Sequence, residues 1–128
     1  MNHVFSIGVD IVNVTRFRKK PLRNNLNFYK KIFSESEINY CKKFGSPYEH
    51  FAGKFAIKES VVKAIPDKIS LKNICISNSK NKPGIKINGK LNKKYDFIVS
   101  VSHEKEFAIA VVIAFRKWNL RFLLKKLG

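Results

Sequence analysis

Two periods of hydrophobic placement take turns along this chain, and each switch between them marks an element. Residues 4–14 form a β-branched apolar run broken only by Ser6, Gly8, Asp10 and Asn13, which predicts a buried strand. From 15 to 31 the pattern is basic and loosely helical, with Phe17, Leu22, Leu26, Tyr29 and Phe33 as inward positions. Ser34 with Glu37 three residues on makes a capping box, in which hydroxyl and carboxylate each satisfy the other's backbone amide, so a short helix should open there and end near Gly45. Ser46-Pro47 restarts the chain, and residues 48–65 carry the strongest helical pattern. Pro66 ends it, because a proline disfavours helical geometry in the residue before it. Residues 69–76 read as a strand, 78–84 as a polar loop, 84–88 as a short strand and 90–96 as a turn. Residues 97–102 and 107–115 are two β-rich segments joined by His103-Glu104-Lys105-Glu106, which predicts a hairpin. In the tail, 116–128, Leu120, Leu123, Leu124 and Leu127 share one helical stripe among Arg and Lys.

Composition narrows what these elements can build. A chain of 128 residues supports one core, and 45% hydrophobic with 12% aromatic residues is a globular balance. No apolar run reaches the roughly 18–20 residues of a membrane-spanning helix, and residues 1–14 lack the order of a signal peptide. Two cysteines, Cys41 and Cys75, make neither a disulfide framework nor a zinc site of usual spacing. The expectation is a soluble, cytoplasmic, single-domain protein. Its net charge of +17 implies an anionic partner. Yet 21 Lys against 5 Arg, beside 12 Asn and 14 Ile, equally fits drift toward A/T-rich codons. Charge therefore does not name the partner, which could be a nucleic acid, a phosphorylated ligand, an acidic protein or a membrane surface. A small nucleic-acid-binding protein is one alternative reading. The basic residues are spread along the chain and no nucleic-acid motif occurs, which weighs against it.

With nine acidic residues, their positions are informative. Asp10 sits between Val9 and Ile11 in an apolar strand, where a carboxylate is costly unless paired, capped or bound to a cation. Glu59 has Phe55, Ala56, Val62 and Lys63 as its helical neighbours, so it lies on the packed face or its margin. A surface Glu59–Lys63 ion pair accounts for the spacing but not for the apolar company. If the helix packs on the first strand, Asp10 and Glu59 could converge on one cation, as carboxylates hold Mg²⁺ beside phosphates. Lys54, Lys58 and Lys63 then offer phosphate-neutralising charge along that helix. His103, in the hairpin turn, matters only if the turn faces the carboxylates.

Taken in order, these segments resemble the holo-acyl-carrier-protein synthases, the small single-domain type of 4′-phosphopantetheinyl transferase. Ile7-Gly8-Val9-Asp10-Ile11-Val12 with Arg16 resembles the family's N-terminal strand and following arginine. Phe51-Ala52-Gly53-Lys54-Phe55-Ala56-Ile57-Lys58-Glu59, running on to Lys63-Ala64, resembles its signature helix. Ser100-Val101-Ser102-His103 and Phe107-Ala108-Ile109-Ala110 resemble its C-terminal hairpin, and Phe33-Ser34-Glu35-Ser36-Glu37 and Lys82-Pro83 fit weaker positions between.

The resemblance implies an α+β fold, mainly antiparallel sheet with a long signature helix, that assembles as a homotrimer with active sites between subunits. It implies Mg²⁺-dependent transfer of 4′-phosphopantetheine from coenzyme A to a serine of apo-acyl carrier protein, for fatty acid biosynthesis, releasing adenosine 3′,5′-bisphosphate. Carried over by position, Asp10 and Glu59 become metal ligands, and Glu59 and Lys63 the catalytic groups. Lys54, Lys63, Pro83 and His103 become coenzyme A contacts, and Arg16 meets the acidic carrier. The serine proton could pass to Glu59, a metal-bound water or Lys63. The domain would span 1–115, with 116–128 a basic amphipathic extension. Three positions depart from the family: Ile65-Pro66-Asp67-Lys68-Ile69 lacks the usual glycine loop, Asn13 replaces a frequent acid, and Lys54 stands where arginine is common. The loop leaves room for a third reading, a catalytically degraded binder of coenzyme A or carrier protein.

Overall fold

Two prolines set the length of the longest helix. Pro47 occupies its first turn, where a missing N–H costs nothing, and Ile65, extended ahead of Pro66, closes it. The computed structural model describes residues 4–80, 82–117 and 124–127. Strand β1 (Phe5–Asn13) leads into helices α1 (Thr15–Arg18), α2 (Leu26–Ile32), α3 (Glu35–Lys42) and α4 (Pro47–Ala64). A hairpin of β2 (Ile74–Ser79) and β3 (Lys82–Ile87) precedes a second one, β4 (Tyr95–Glu104) and β5 (Phe107–Arg116). Short 3₁₀ turns occupy Leu22–Asn24, Leu71–Asn73 and Lys90–Lys93. The α+β class and the antiparallel sheet with one long helix are as expected.

The main sheet is antiparallel in the order β1-β5-β4, its register aligning Asp10 with Ala110 and Ala110 with Val101. Helix α4 covers one face. It can lie close because β5 presents Ala108, Ala110 and Ala114 to it, all buried, and β1 presents Gly8. A Cβ at Gly8 would fall 1.8 Å from the Ser60 carbonyl oxygen, so this contact requires glycine. Ser60 Oγ bridges helix to strand, donating to Ala56 O at 2.7 Å and Ala110 O at 3.1 Å.

The core continues under α4 as an aromatic cluster. Phe17, Tyr29, Phe33 and Phe51 are buried with centroids as close as 4.6 Å for Tyr29–Phe51 and 5.0 Å for Phe33–Phe51. The Tyr29 hydroxyl is satisfied by Lys20 O at 2.7 Å. The capping box forms as expected: Glu37 N donates to Ser34 Oγ at 3.2 Å, and Ser34 N to Glu37 Oε1 at 2.7 Å.

Several expectations need correction. The first strand is buried on one face only. Ile7 and Ile11 on the other face are 57% and 61% exposed, because the helix-facing set is Ser6, Gly8, Asp10 and Val12. Its more apolar side faces away from the core. The helical stretch after it is cut by Pro21 into three short pieces, and Leu26 is 42% exposed rather than inward. The strand drawn over 69–76 begins only at Ile74, after the 3₁₀ turn, and runs to Ser79 through the supposed polar loop. Pairing with β3 overrides the low strand preference of Ser77, Asn78 and Ser79. His103 lies on β4, the turn proper being a tight one in which Lys105 takes φ 52°. Leu120 and Leu123 lie outside the described residues; Leu124 and Leu127 are exposed. No helix among the described residues is long and apolar enough to cross a membrane.

Candidate active site

Helix α4 carries candidate site residues on two faces, and its 3.6-residue period separates them. Phe55, Glu59 and Lys63 are four apart and share one row; His50, Gly53, Lys54 and Ile57 share the opposite one.

The first row faces β1 and α1. Lys63 Nζ donates to Asp10 Oδ1 at 3.0 Å and to Val9 O at 3.1 Å. This resolves the cost of a carboxylate in β1: Asp10 points to the helix and is paired. The local Glu59–Lys63 pair does not form, since Lys63 reaches across to the strand. Glu59, half-buried one turn earlier, has no hydrogen bond or ion pair among the described residues. Arg16 stacks over Phe55 with its guanidinium carbon 4.7 Å from the ring centre, at the head of the same row. Asp10, Glu59, Lys63 and Arg16 are thus brought to one flank. No group of three or more metal-ligating side chains occurs among the described residues. A cation here would have two carboxylates from the protein, an all-oxygen donor set that suits a hard divalent ion keeping waters or phosphate oxygens.

The second row lines a cavity walled by Tyr40, His50, Gly53, Lys54, Asn78, Pro83, Val101 and His103. Here Lys54, Pro83 and His103, three of the residues expected to meet coenzyme A, come together from α4, β3 and β4. Lys54 is nearly buried. Its Nζ donates to Asn78 Oδ1 at 2.7 Å and lies 4.5 Å from the Tyr40 ring centre. Burial lowers its pKa, so the ammonium is held at a cost that an incoming anion would relieve. Burial also lowers the pKa of His50, with the neighbouring His103 ring acting in the same direction. His50 stacks on Phe44 with 3.6 Å between centroids. The nearby Cys41 thiol is buried and pushed up to about 12, chiefly by desolvation, which removes it as a nucleophile.

Lys58 belongs to neither face. Both Lys58 and Glu37 side chains are 0% exposed, and Nζ donates to Glu37 Oε1 at 2.8 Å, Ile32 O at 2.9 Å and Leu71 O at 3.1 Å. All three ammonium hydrogens are used, so the expected phosphate-neutralising role is corrected: Lys58 is a structural tie. Tyr40, His50 and Asn78 went unnoticed in the sequence. His50 had a readable signal, standing four residues before Lys54. Asn78 had none, because it lay in what read as a loop.

The loop without glycine is held from the far side. Asp67 accepts from Lys94 Nζ at 2.8 Å and from the Tyr95 hydroxyl. Its pKa is nonetheless lowered, the hydrogen bonds from Lys94 and Tyr95 outweighing desolvation.

Residues 6–112 match the family described as the 4′-phosphopantetheinyl transferase superfamily. A holo-[acyl-carrier-protein] synthase of Thermodesulfovibrio yellowstonii is 42% identical over 110 residues, covering 84% of this chain and 95% of that protein. One from Ehrlichia chaffeensis is 39% identical over 120 residues, covering 88% and 97%. Among solved structures, the Helicobacter pylori holo-[acyl-carrier-protein] synthase in complex with coenzyme A superposes with a TM-score of 0.73. Its identity is 36%, with 84% of this chain and 98% of that chain covered. The Bacillus anthracis enzyme in complex with coenzyme A (3′,5′-ADP) gives 0.74 at 29% identity, covering 88% and 96%.

Proposed function

The chain belongs to the 4′-phosphopantetheinyl transferase superfamily, and we infer that it is a holo-[acyl-carrier-protein] synthase. It transfers 4′-phosphopantetheine from coenzyme A to a serine of apo-acyl carrier protein. The observation that carries this reading is the convergence of Lys54, Pro83 and His103 on one cavity, while Asp10, Glu59 and Lys63 gather on the other flank of the same helix.

In the reaction the serine hydroxyl gives its proton to Glu59, to Lys63 or to water. Its oxygen bonds to the β-phosphorus of coenzyme A, and the bond from that phosphorus to the bridging oxygen breaks. Adenosine 3′,5′-bisphosphate leaves with the electron pair. Such a step needs charge neutralisation and in-line positioning more than covalent help. Asp10 and Glu59 would hold Mg²⁺, which when bound there would supply Lewis-acid neutralisation of the phosphate charge. Glu59 suits the role because no protein group competes for it among the described residues. Lys63 spends two N–H groups on Val9 O and Asp10, and its third is free to meet a phosphate oxygen. Lys54 and His103 bind the nucleotide end, Lys54 from a site where it is poorly solvated and gains most from an anion. Arg16 meets the acidic carrier, whose encounter a basic surface speeds. The product serves fatty acid biosynthesis in the cytoplasm.

The enzyme works as a homotrimer. Phe5, Ile7, Val9, Ile11, Phe107, Ile109 and Val111 form an exposed apolar sheet face, the kind of surface that monomers seldom leave open. The two functional rows point away from each other within one chain, which favours a site assembled from one row of each of two copies. Intact mass of an apo-acyl carrier protein after incubation with coenzyme A, Mg²⁺ and this protein tests the reaction. A chelator-sensitive gain of one phosphopantetheine is expected, and no gain with several carriers would overturn it. Co-assembling Glu59→Gln with His103→Ala subunits tests the arrangement, since mixed assemblies should contain intact sites and turn over faster at low coenzyme A than either variant alone.

A further inference from the structure

We propose that Gly53 is a positioning residue for His103, reserving a gap on α4 in which the imidazole is locked as the Nε2–H tautomer by the Glu49 carbonyl, so that Nδ1 is the nitrogen presented to coenzyme A. The last clause rests on the reading of the cavity as the coenzyme A site; the locking itself does not.

His103 Nε2 lies 3.1 Å from Glu49 O, a main-chain oxygen of the first turn of α4. A carbonyl can only accept, so Nε2 must carry a hydrogen, and in the neutral ring Nδ1 is left bare. In the doubly protonated ring Nδ1–H is a second donor, the Nε2 bond is unchanged, and a phosphate oxygen can accept from Nδ1–H. Histidine tautomers are commonly set by the partner of the other nitrogen, and here that partner is helix backbone, which cannot rotate away.

The ring reaches that oxygen only because the next turn of α4 is bare. A Cβ on Gly53 would stand 2.9 Å from His103 Nε2 and 3.3 Å from Cε1, closer than side chains pack. Val101, two residues before His103 on the same face of β4, would stay at an ordinary 3.6 Å. The clash therefore falls on the imidazole alone, and on the edge that holds the hydrogen bond. Glycine in the middle of a long helix is unfavourable relative to alanine. Its presence here, with negative φ, is explained by this gap and not by backbone freedom. Glu49 is steadied in turn by Arg18, whose guanidinium lies 3.2 Å from its carboxylate. His50, Lys54 and Tyr40 are the other titratable groups of the cavity.

The test uses the full-length protein and the Gly53→Ala, His103→Ala and double variants, with coenzyme A as ligand. Long-range ¹H–¹⁵N spectra of the wild type at a pH where the imidazoles are neutral should show His103 as Nε2–H, and Gly53→Ala should shift it toward a mixture. The KM for coenzyme A should rise about tenfold in Gly53→Ala, roughly the loss of one charge-assisted hydrogen bond, with kcat changed much less. The double variant should match His103→Ala, because an alanine at 53 has no ring to displace there. An unchanged tautomer and KM in Gly53→Ala, or additive losses in the double variant, would overturn the proposal. If instead Gly53→Ala disturbs the tautomer while His103→Ala leaves KM untouched, the positioning stands and the coenzyme A assignment of His103 fails.

Discussion

Lys58 and Lys63 stand five residues apart on one helix, each paired with a carboxylate at similar distance, and the two pairs do opposite things. The Lys58–Glu37 pair is sealed, both side chains at 0% exposure, with every donor spent and Glu37 also capping α3 and accepting from Ile76 N at 2.7 Å. It ties α2, α3, α4, the 3₁₀ turn before β2 and β2 itself into one body. The Lys63–Asp10 pair is open, with 53% and 17% exposure, and Lys63 keeps a donor in hand. Burial with full satisfaction makes an ion pair structural, whereas an edge position with capacity left over makes it available to a ligand. Residue type does not separate the two, and neither does spacing along the helix.

The sharpest way to break this contrast is to exchange the consequences. Lys58→Met leaves Glu37 charged and unpaired in the core, which should cost about 3–5 kcal/mol of stability, read by urea unfolding. A variant that unfolds like the wild type would show that the sealed pair is not a tie. Glu59→Gln should do the reverse: turnover falls on the order of 10²-fold or more, as when one transition-state-stabilising group is removed, with the unfolding curve nearly unmoved. Restoration of activity by excess Mg²⁺ would sharpen the assignment by showing a weakened ion site. Lys63→Ala should lower turnover by roughly tenfold, the scale of one charged hydrogen bond. A loss of thermal stability without a kinetic effect would place Lys63 with Lys58.

The Asp67 contact with Lys94 and Tyr95 is an intermediate case and carries the smallest effect. Asp67 has a folded pKa below its unfolded value of 3.8, so it stabilises the protein fully above that range. This contribution is lost as pH falls through the lowered folded value. Asp67→Asn should lower the melting temperature at neutral pH by a few degrees. It should also flatten the acid limb of a stability–pH curve below about pH 4. An acid limb identical to that of the wild type would remove Asp67 as the clamp of the loop after α4.

Several features set by neighbours within about four residues were legible in the sequence, although the break at Pro21 was not among them. The capping box fixed the start of α3, Pro47 and Pro66 bracketed α4, and Phe17, Tyr29 and Phe33 went to the core where their pattern put them. The motif blocks holding Asp10, Glu59, Lys63 and His103 were equally plain, because each block is a short contiguous run. The rest was decided by contacts between distant residues, which no local rule reaches. Strand β1 shows its more apolar face to the outside because α4 needs Gly8 at the crossing, and the alternation was masked by apolar residues on both faces. Lys58 is spent on groups 13 to 26 positions away, and Lys63 leaves its helical neighbour for a strand residue 53 positions earlier. A side chain has only as many donors as its head group carries. The sequence determines how many there are; the tertiary structure alone determines which of them remain free.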